Sequence, residues 1–323
     1  MPAVDLLESD QGDNEGDQAM SKRLILHLGT QKTGSKAVQH FLGKHERLLR
    51  ENDMEVFRGG YNGIWHQEFF LDFKHEYLTQ LHEALKSHQQ IISWENAFSF
   101  PDLVYDYLAT ENALFILFLR EPSDWMNSFL NQMVKAHRIS AAEIDSFSSI
   151  NAFYPLRNLI EFGERLERQR KVPMHIVKYD KGQNSIAKFL ELIGIAHEDA
   201  IDRTIGESRN LALNSFGLRI FYSAKKRLGD SSKDSIAEMV SRLIAFCKQQ
   251  SLEIYSMPLQ EPLLMRPATL ACIEDYYRPK IEELFKLSFS DPALPSSNVV
   301  DFSDPDPVSE EVLREFFKWY ANT

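Results

Sequence analysis

The sequence is poor in cysteine, with only Cys247 and Cys272 among its 323 residues. The two cysteines lie far apart in the chain, without the close pairing that marks a zinc site. Two cysteines in so long a chain also lack the density of a disulfide framework, which is typical of small secreted proteins. This scarcity favours a reducing, cytoplasmic environment.

Long apolar runs are also missing, since the longest, at 113–119, has seven residues. A membrane-spanning helix needs about 20. Basic residues are absent from the first 20 positions, which carry six acidic residues, whereas a signal peptide begins with basic residues and has an apolar centre. We therefore expect no membrane span, and we interpret residues 1–20 as a disordered acidic leader.

The net charge is −11, but the acidic residues are unevenly distributed. Six lie in residues 1–20 and six more in residues 287–313, two segments without Lys or Arg, so the rest of the chain is nearly neutral. An acidic chain of this kind is not a general nucleic-acid binder. The near-neutral part is still compatible with a local site for an anion.

The hydrophobic pattern predicts a chain in which strands and helices alternate. Helical periodicity separates most of the short apolar segments, an order typical of a three-layer α/β fold with a mainly parallel central sheet. We expect one α/β domain over 21–323, with a mostly helical part over 200–323. The five predicted strands are 23–28, 54–57, 90–94, 113–119 and 174–179.

A glycine-rich loop follows the first predicted strand. Backbone N–H groups at such a strand-to-helix junction are unpaired, and the helix dipole adds partial positive charge, so the junction favours phosphate. The loop fits the nucleotide-binding pattern GxxxxGK[ST] as far as its second glycine, but Ser35 and Lys36 stand where Lys and Ser or Thr should follow. The loop consists of Gly29, Thr30, Gln31, Lys32, Thr33, Gly34 and Ser35.

A second motif begins where the fourth predicted strand ends, at Arg120. Ligands bind at the carboxyl ends of strands in open α/β sheets, and a guanidinium suits bidentate binding of phosphate. Pro122 fits the first turn of the following helix. The apolar stripe of that helix leaves Ser128 pointing away from it, so we predict that this hydroxyl faces a ligand rather than the core.

Together these motifs resemble the sulfotransferases that use 3′-phosphoadenosine 5′-phosphosulfate (PAPS). The loop resembles their 5′-phosphosulfate loop, most closely the Lys-Thr-Gly-Thr of carbohydrate-type and bacterial members, with Ser35 in place of the last Thr. Arg120 and Ser128 resemble their 3′-phosphate motif, and Arg209 lies in a segment similar to a later cofactor-side element. The likeness spans about residues 22–286 and implies a P-loop-like fold.

The resemblance also implies roles for individual residues. Thr33, Gly34 and Ser35 would hold the 5′-phosphate, and Lys32 would stabilise the leaving group. Arg120 and Ser128 would bind the 3′-phosphate of PAPS and of its product, adenosine 3′,5′-bisphosphate. The acceptor is expected to be a hydroxyl or amino group of a carbohydrate or small metabolite.

The base that removes the acceptor proton has several candidates. His66 follows a glycine-containing loop at the start of a helical pattern, and Glu95 ends the third predicted strand. His66 lies where bacterial relatives often carry His and is the leading candidate. Glu95 resembles the Ser-Glu at this strand end in carbohydrate-type relatives, where a carboxylate would serve as the base or bind an acceptor hydroxyl. Glu55 and Glu68 are weaker alternatives. His27 alternates with leucines inside the first strand and is expected to be structural.

Two other functions remain as alternatives. A strand, phosphate loop and helix also serve ATP- and Mg²⁺-dependent small-molecule kinases, although the displaced hydroxyl in this loop counts against that function. The third hypothesis is a noncatalytic nucleotide-binding or scaffold protein with the same fold. No cluster in the sequence has metal-ligand spacing, so the sulfotransferase hypothesis includes no required metal. Because of the acidic net charge, it also includes no nucleic-acid partner. Nothing in the sequence specifies the oligomeric state.

Overall fold

A computed structural model describes residues 22–30, 33–58, 74–95, 97–110, 112–147, 153–169, 172–179, 184–196, 213–229, 231–255, 264, 267–290 and 307–322. The strands are β1 (Leu24–Gly29), β2 (Met54–Val56), β3 (Gln89–Glu95), β4 (Ala113–Arg120) and β5 (Met174–Tyr179). The helices before β5 are α1 (Ser35–Lys44), α2 (Glu46–Glu51), α3 (Lys74–Ser87), α4 (Pro101–Leu103), α5 (Pro122–Lys135), α6 (Ala141–Phe147) and α7 (Tyr154–Gln169). Those after β5 are α8 (Ser185–Leu192), α9 (Ser215–Leu228), α10 (Lys233–Gln249), α11 (Pro267–Cys272), α12 (Arg278–Phe285) and α13 (Pro307–Asn322).

The five strands form one parallel sheet in the order β2-β3-β1-β4-β5. Parallel pairing requires a crossover between successive strands, and helices lie in these connections. All eight residues of β4 are buried, as is typical of a strand covered on both faces. The predicted strands and the predicted parallel sheet are confirmed.

Helices cover both faces of this sheet, which gives the fold three layers. On one face, Val38 and Phe41 of α1 pack with Phe189 of α8 against the strands. On the other face, Tyr77 of α3 and Trp125 of α5 belong to a larger core that includes α7 and the C-terminal helices. The alternating side chains of each strand therefore enter two separate apolar cores.

Most of the residues described after β5 are helical, as predicted, and this part of the chain packs on α5. Asn131 of α5 donates to the carbonyl of Leu213 and accepts from its N–H, both at 3.0 Å. One turn earlier, Asn127 Oδ1 accepts from the N–H of Leu264 at 2.8 Å. Helix α13 joins the same core through Phe316, whose ring contacts Phe246 of α10.

The helical pattern over 266–286 predicts one helix, but the structure does not show a continuous one. A π-helical segment at Ile273–Tyr277 separates α11 from α12. The cause lies in Pro279, which has no N–H to donate to the carbonyl four residues earlier and whose ring crowds that carbonyl. The wider π turn relieves this conflict and rotates the side chains of 273–277 relative to a regular helix. None of the helices described in this chain is long and apolar enough to cross a bilayer.

Candidate active site

The glycine-rich loop begins where the central strand β1 ends. A Cβ atom on Gly29 would lie 1.7 Å from Oγ of Ser35, a separation that no side chain tolerates. Glycine is therefore required for Ser35, the first residue of α1, to lie over the end of β1. This close approach places the N-terminus of α1 directly at the carboxyl edge of the sheet.

Two structural features explain why the second loop position is a glycine. Gly34 adopts φ +79°, in the left-handed region that glycine tolerates best. In addition, a Cβ on Gly34 would lie 1.9 Å from Oγ of Ser185. Ser185 begins α8, so the N-termini of α1 and α8 meet at this glycine. Sequence reasoning missed Ser185, although the Asn-Ser pair before an apolar pattern is typical of a helix start.

Hydroxyl groups of the loop give it a defined shape. Thr33 Oγ1 donates to the carbonyl of Thr30 at 2.6 Å and lies 3.2 Å from Oγ of Ser35. Thr30 Oγ1 donates to the carbonyl of Phe118 on β4 at 3.3 Å. All three of these residues are buried. Gln31 and Lys32, the other predicted loop residues, lie outside the described part of the chain.

The N-terminus of α1 is suited to an anion. Gly34 is its N-cap residue, none of the described side chains caps it, and its first turn contains no acidic residue. Its earliest intrahelical bonds run from the N–H groups of Ala37 and Val38 to the carbonyl of Gly34. The first-turn N–H groups and the helix dipole therefore favour negative charge at the loop.

Arg120 lies beside this loop, since β4 is the direct neighbour of β1 in the sheet. Gly29 is in register with Phe118, which places Arg120 two residues further along the same edge. The Arg120 side chain is 5% exposed, and its Nε donates to Asp124 Oδ2 at 2.6 Å. Neighbouring strands are about 4.8 Å apart, so the loop and Arg120 follow adjacent strand ends.

Asp124 was not among the predicted site residues; it lies in the first turn of α5 and pairs with Arg120 at the end of β4, across the strand-to-helix junction. Ser128 lies one further turn along α5 and is 6% exposed. The hydroxyl is thus buried, because α5 is covered on nearly all sides and not only along its apolar stripe. Arg120 ends β4, and Asp124 and Ser128 lie on the helix α5 that follows it.

The first turn of α5 is capped by Glu121. Its two carboxylate oxygens accept from the backbone N–H groups of Ser123 (3.0 Å) and Asp124 (2.7 Å). The residue is buried at 8% exposure. Burial raises the pKa of this carboxyl to about 7, against the lowering effect of the two N–H groups. A capping carboxylate next to Arg120 therefore titrates near neutral pH.

We predict that Glu121 makes the protein less stable as the pH rises. The native state binds this proton more tightly than the unfolded chain, where the pKa is about 4.3. The free energy of unfolding should fall from about pH 4.5 to pH 7, by up to roughly 3 kcal/mol. The free energy of unfolding, measured with urea at pH 5 and at pH 8, should differ less between the two pH values in Glu121→Gln than in the wild type. An equal difference in both proteins would contradict the assignment.

Of the two candidate bases that the structure describes, Glu95 is the one that lies at the loop. It ends β3 in register with Gly29 and is 9% exposed. Glu55 is in register with Gln90, near the start of β3, about 16 Å along the strand from the loop edge. Glu55 also pairs with Arg50 at 2.9 Å, so the geometry does not support it as a base. His66 and Glu68 lie outside the described residues, as does Arg209.

His27 is buried inside β1, as expected of a structural residue. Its Nδ1 lies 2.7 Å from Oγ of Ser93 on β3. Its ring meets the edges of Phe118 and Phe189. Complete burial lowers the pKa of His27 to about 3, so the imidazole is neutral at physiological pH. This neutral ring supports the sheet directly below the loop.

Aromatic residues near the site are packed rather than open. Trp94 is 3% exposed and stacks on Phe100, so it presents no surface to an acceptor. Trp125 and Met133 belong to the apolar stripe of α5, and both are buried in the core, as predicted for that stripe. In the part of the chain that is described, no group of three or more His, Cys, Asp or Glu residues is placed to hold a metal ion.

Comparison with known proteins adds little to this geometry. A scan against models of known protein families finds no match, and a search of curated proteins finds none either. Among solved structures, the chain is similar to one from the characterisation of the PezAT chromosomal toxin–antitoxin system of the human pathogen Streptococcus pneumoniae. That match has 13% identity and a TM-score of 0.26, and it covers 57% of this chain and 84% of the other. A likeness of this strength carries no argument about function.

Proposed function

We propose that the protein is a PAPS-dependent sulfotransferase that acts on a hydroxyl or amino group of a carbohydrate or small metabolite. The observation that carries the proposal is the position of Arg120. A buried guanidinium at the carboxyl end of β4 stands next to the anion loop that follows β1. This pairing suits a nucleotide with phosphates at both its 5′ and its 3′ position.

Each part of the ligand has a partner in this proposal. The first-turn N–H groups of α1, with Thr33 and Ser35, bind the 5′-phosphate. Arg120 binds the 3′-phosphate, with Ser128 as a second donor. Asp124 holds Arg120 at 2.6 Å, so the guanidinium is oriented before the ligand arrives. An oriented side chain loses less conformational freedom on binding.

The transfer itself is an in-line displacement at sulfur. The acceptor oxygen or nitrogen forms a bond to sulfur while the bond from sulfur to the 5′-phosphate oxygen breaks. Lys32 stabilises the negative charge that develops on that leaving oxygen. The acceptor proton passes to a base, for which His66 and Glu95 at the loop edge are the main candidates and Glu68 is a weaker one.

The binding of adenosine 3′,5′-bisphosphate tests this function directly. Calorimetry should show tighter binding of the bisphosphate than of ADP or of ATP with Mg²⁺. Replacing the exposed Arg50, which pairs with Glu55 away from the loop, by Ala should leave this preference unchanged. Preference for ATP with Mg²⁺ would favour a kinase instead. Tight bisphosphate binding without sulfation of any acceptor in a broad panel would favour a noncatalytic protein.

Lys32 is predicted to act in the transfer step. Its replacement by Ala should lower kcat at least about tenfold, which corresponds to 1.4 kcal/mol of lost transition-state stabilisation. The Kd for the bisphosphate should change less than kcat, because the charge on the leaving oxygen is largest in the transition state. Single-turnover sulfation with saturating PAPS measures this effect. Unchanged turnover would contradict the role of Lys32.

A further inference from the structure

The first turn of α5 is bound by the C-terminal part of the chain. The hydroxyl of Ser123 donates to the carboxylate of Glu274, across 151 positions of sequence. Ser123 is completely buried, and Glu274 lies on the π-helical segment Ile273–Tyr277. This π-helical segment therefore makes a polar contact with α5, the helix that carries Asp124, the partner of Arg120.

The position of Glu274 is in turn fixed by Arg278. Its second carboxylate oxygen accepts from Arg278 Nη1 at 2.9 Å. Arg278 also donates from Nη2 to the carbonyl of Phe289 at 2.9 Å and from Nε to Glu282 at 3.4 Å. The Arg278 side chain is 14% exposed. A largely buried, multiply bonded arginine makes Glu274 a fixed anchor rather than a mobile surface acid.

A continuous chain of bonds leads from this anchor to the phosphate site. Ser123 donates its N–H to Glu121, and Glu121 also accepts from the N–H of Asp124. Asp124 in turn accepts from Nε of Arg120. Any shift of the first turn of α5 therefore moves the carboxylate that orients the guanidinium.

We propose that Glu274 is a positioning residue for the 3′-phosphate site: by holding Ser123, it fixes the turn of α5 whose Asp124 orients Arg120. The inference rests on the proposed function, since it assigns the 3′-phosphate to Arg120. Glu274 does not touch the ligand in this arrangement. Its removal should therefore affect selectivity for the 3′-phosphate and leave the 5′-phosphate loop unchanged.

The test compares two nucleotides that differ only in the 3′-phosphate. The ratio of the Kd for adenosine 5′-monophosphate to the Kd for adenosine 3′,5′-bisphosphate measures the contribution of that group. Glu274→Ala should lower this ratio at least about fivefold, with the Kd for the monophosphate changing less than twofold. Ser123→Ala should have the same effect, and the double variant should add nothing further. Glu274→Gln, which keeps an acceptor for Ser123, should restore part of the ratio.

Glu282 provides a matched control. It binds the same arginine and is equally exposed, at 25% against 26% for Glu274. Glu282 accepts hydrogen bonds from Arg278 and from the N–H of Phe289, whereas Glu274 accepts from Ser123 of α5. Glu282→Gln should therefore leave the ratio within twofold of the wild type. A ratio unchanged in both Glu274→Ala and Ser123→Ala overturns the proposal. An equal loss in Glu282→Gln also overturns it, because the segment would then act only as a general support.

Hydrogen exchange separates this proposal from the proposed function, because it needs no ligand. In Glu274→Ala, the N–H groups of Ser123 and Asp124 should exchange at least about tenfold faster than in the wild type, while those of α1 stay unchanged. Unchanged exchange overturns the positioning role. If the wild type binds the bisphosphate no more tightly than the monophosphate, the proposed function fails, and faster exchange would still support the control of the turn by Glu274.

Discussion

Replacement of Arg120 by Met should destabilise the protein and abolish its selectivity for a 3′-phosphate. The pair with Asp124 is largely buried, at 5% and 14% side-chain exposure. Removal of one partner from a buried ion pair leaves an uncompensated charge, which typically costs about 3 kcal/mol or more of the free energy of unfolding. Urea denaturation at pH 7 measures this loss.

The same variant should bind adenosine 3′,5′-bisphosphate about 100-fold more weakly, since charged hydrogen bonds of this kind contribute roughly 1.5–3 kcal/mol. Arg120→Lys keeps one positive charge and serves as the folded control, with a smaller loss of affinity. Combining Arg120→Met with Asp124→Leu should recover much of the stability but none of the affinity. Full affinity in Arg120→Lys and Arg120→Met would show that the phosphate binds elsewhere.

Replacement of Gly34 by Ala should damage the loop more than its small size indicates. The left-handed φ of +79° costs an alanine about 1 kcal/mol. The new Cβ would also lie 2.8 Å from Cβ of Ser185, so the start of α8 must move, and overpacking of this kind typically costs a further 1–3 kcal/mol. We expect a total loss of about 3 kcal/mol and a loss of bisphosphate affinity. Thermal unfolding and calorimetry measure the two effects.

Gly194 is the matched control for this prediction. It has nearly the same φ, +78°, but a Cβ there would meet nothing within 4 Å. Gly194→Ala should therefore lower the free energy of unfolding only by the conformational cost of the left-handed φ, about 1 kcal/mol. Adding Ser185→Gly to Gly34→Ala should relieve the contact and recover part of the stability. Equal losses at the two glycines would show that packing against α8 does not matter.

The sequence was sufficient to predict the strands because each one combines a short apolar run with a polar or glycine boundary. β4 is the clearest case, with eight buried residues that end at Arg120. The order of the strands was not predictable in this way, since periodicity reports which faces are buried and not which strands are neighbours. The adjacency of β1 and β4, which brings Arg120 to the loop, is information that only the tertiary structure contains.

The positions of the candidate site residues were predictable where they depend on local geometry. A glycine-rich loop and a basic residue at a strand end are visible in the sequence. Ser185 and Glu274 were missed because packing brings them to Gly34 and Ser123, the latter across 151 positions. The burial of Ser128 was missed for the same reason, since the helical wheel of α5 does not show what covers its polar side.

The long-range bonds of α5 also have a consequence for how the chain folds. Its contacts with Leu213, Leu264 and Glu274 span 82, 137 and 151 positions. Such separations raise the contact order and slow folding. During synthesis, the five strands are made before any of these three partners. Until the partners are made, Asn131, Asn127 and Ser123 lack the hydrogen bonds that they form in the folded protein. The completion of α5 is therefore expected to be a late event, and an incomplete chain that ends after β5 is expected to be prone to aggregation.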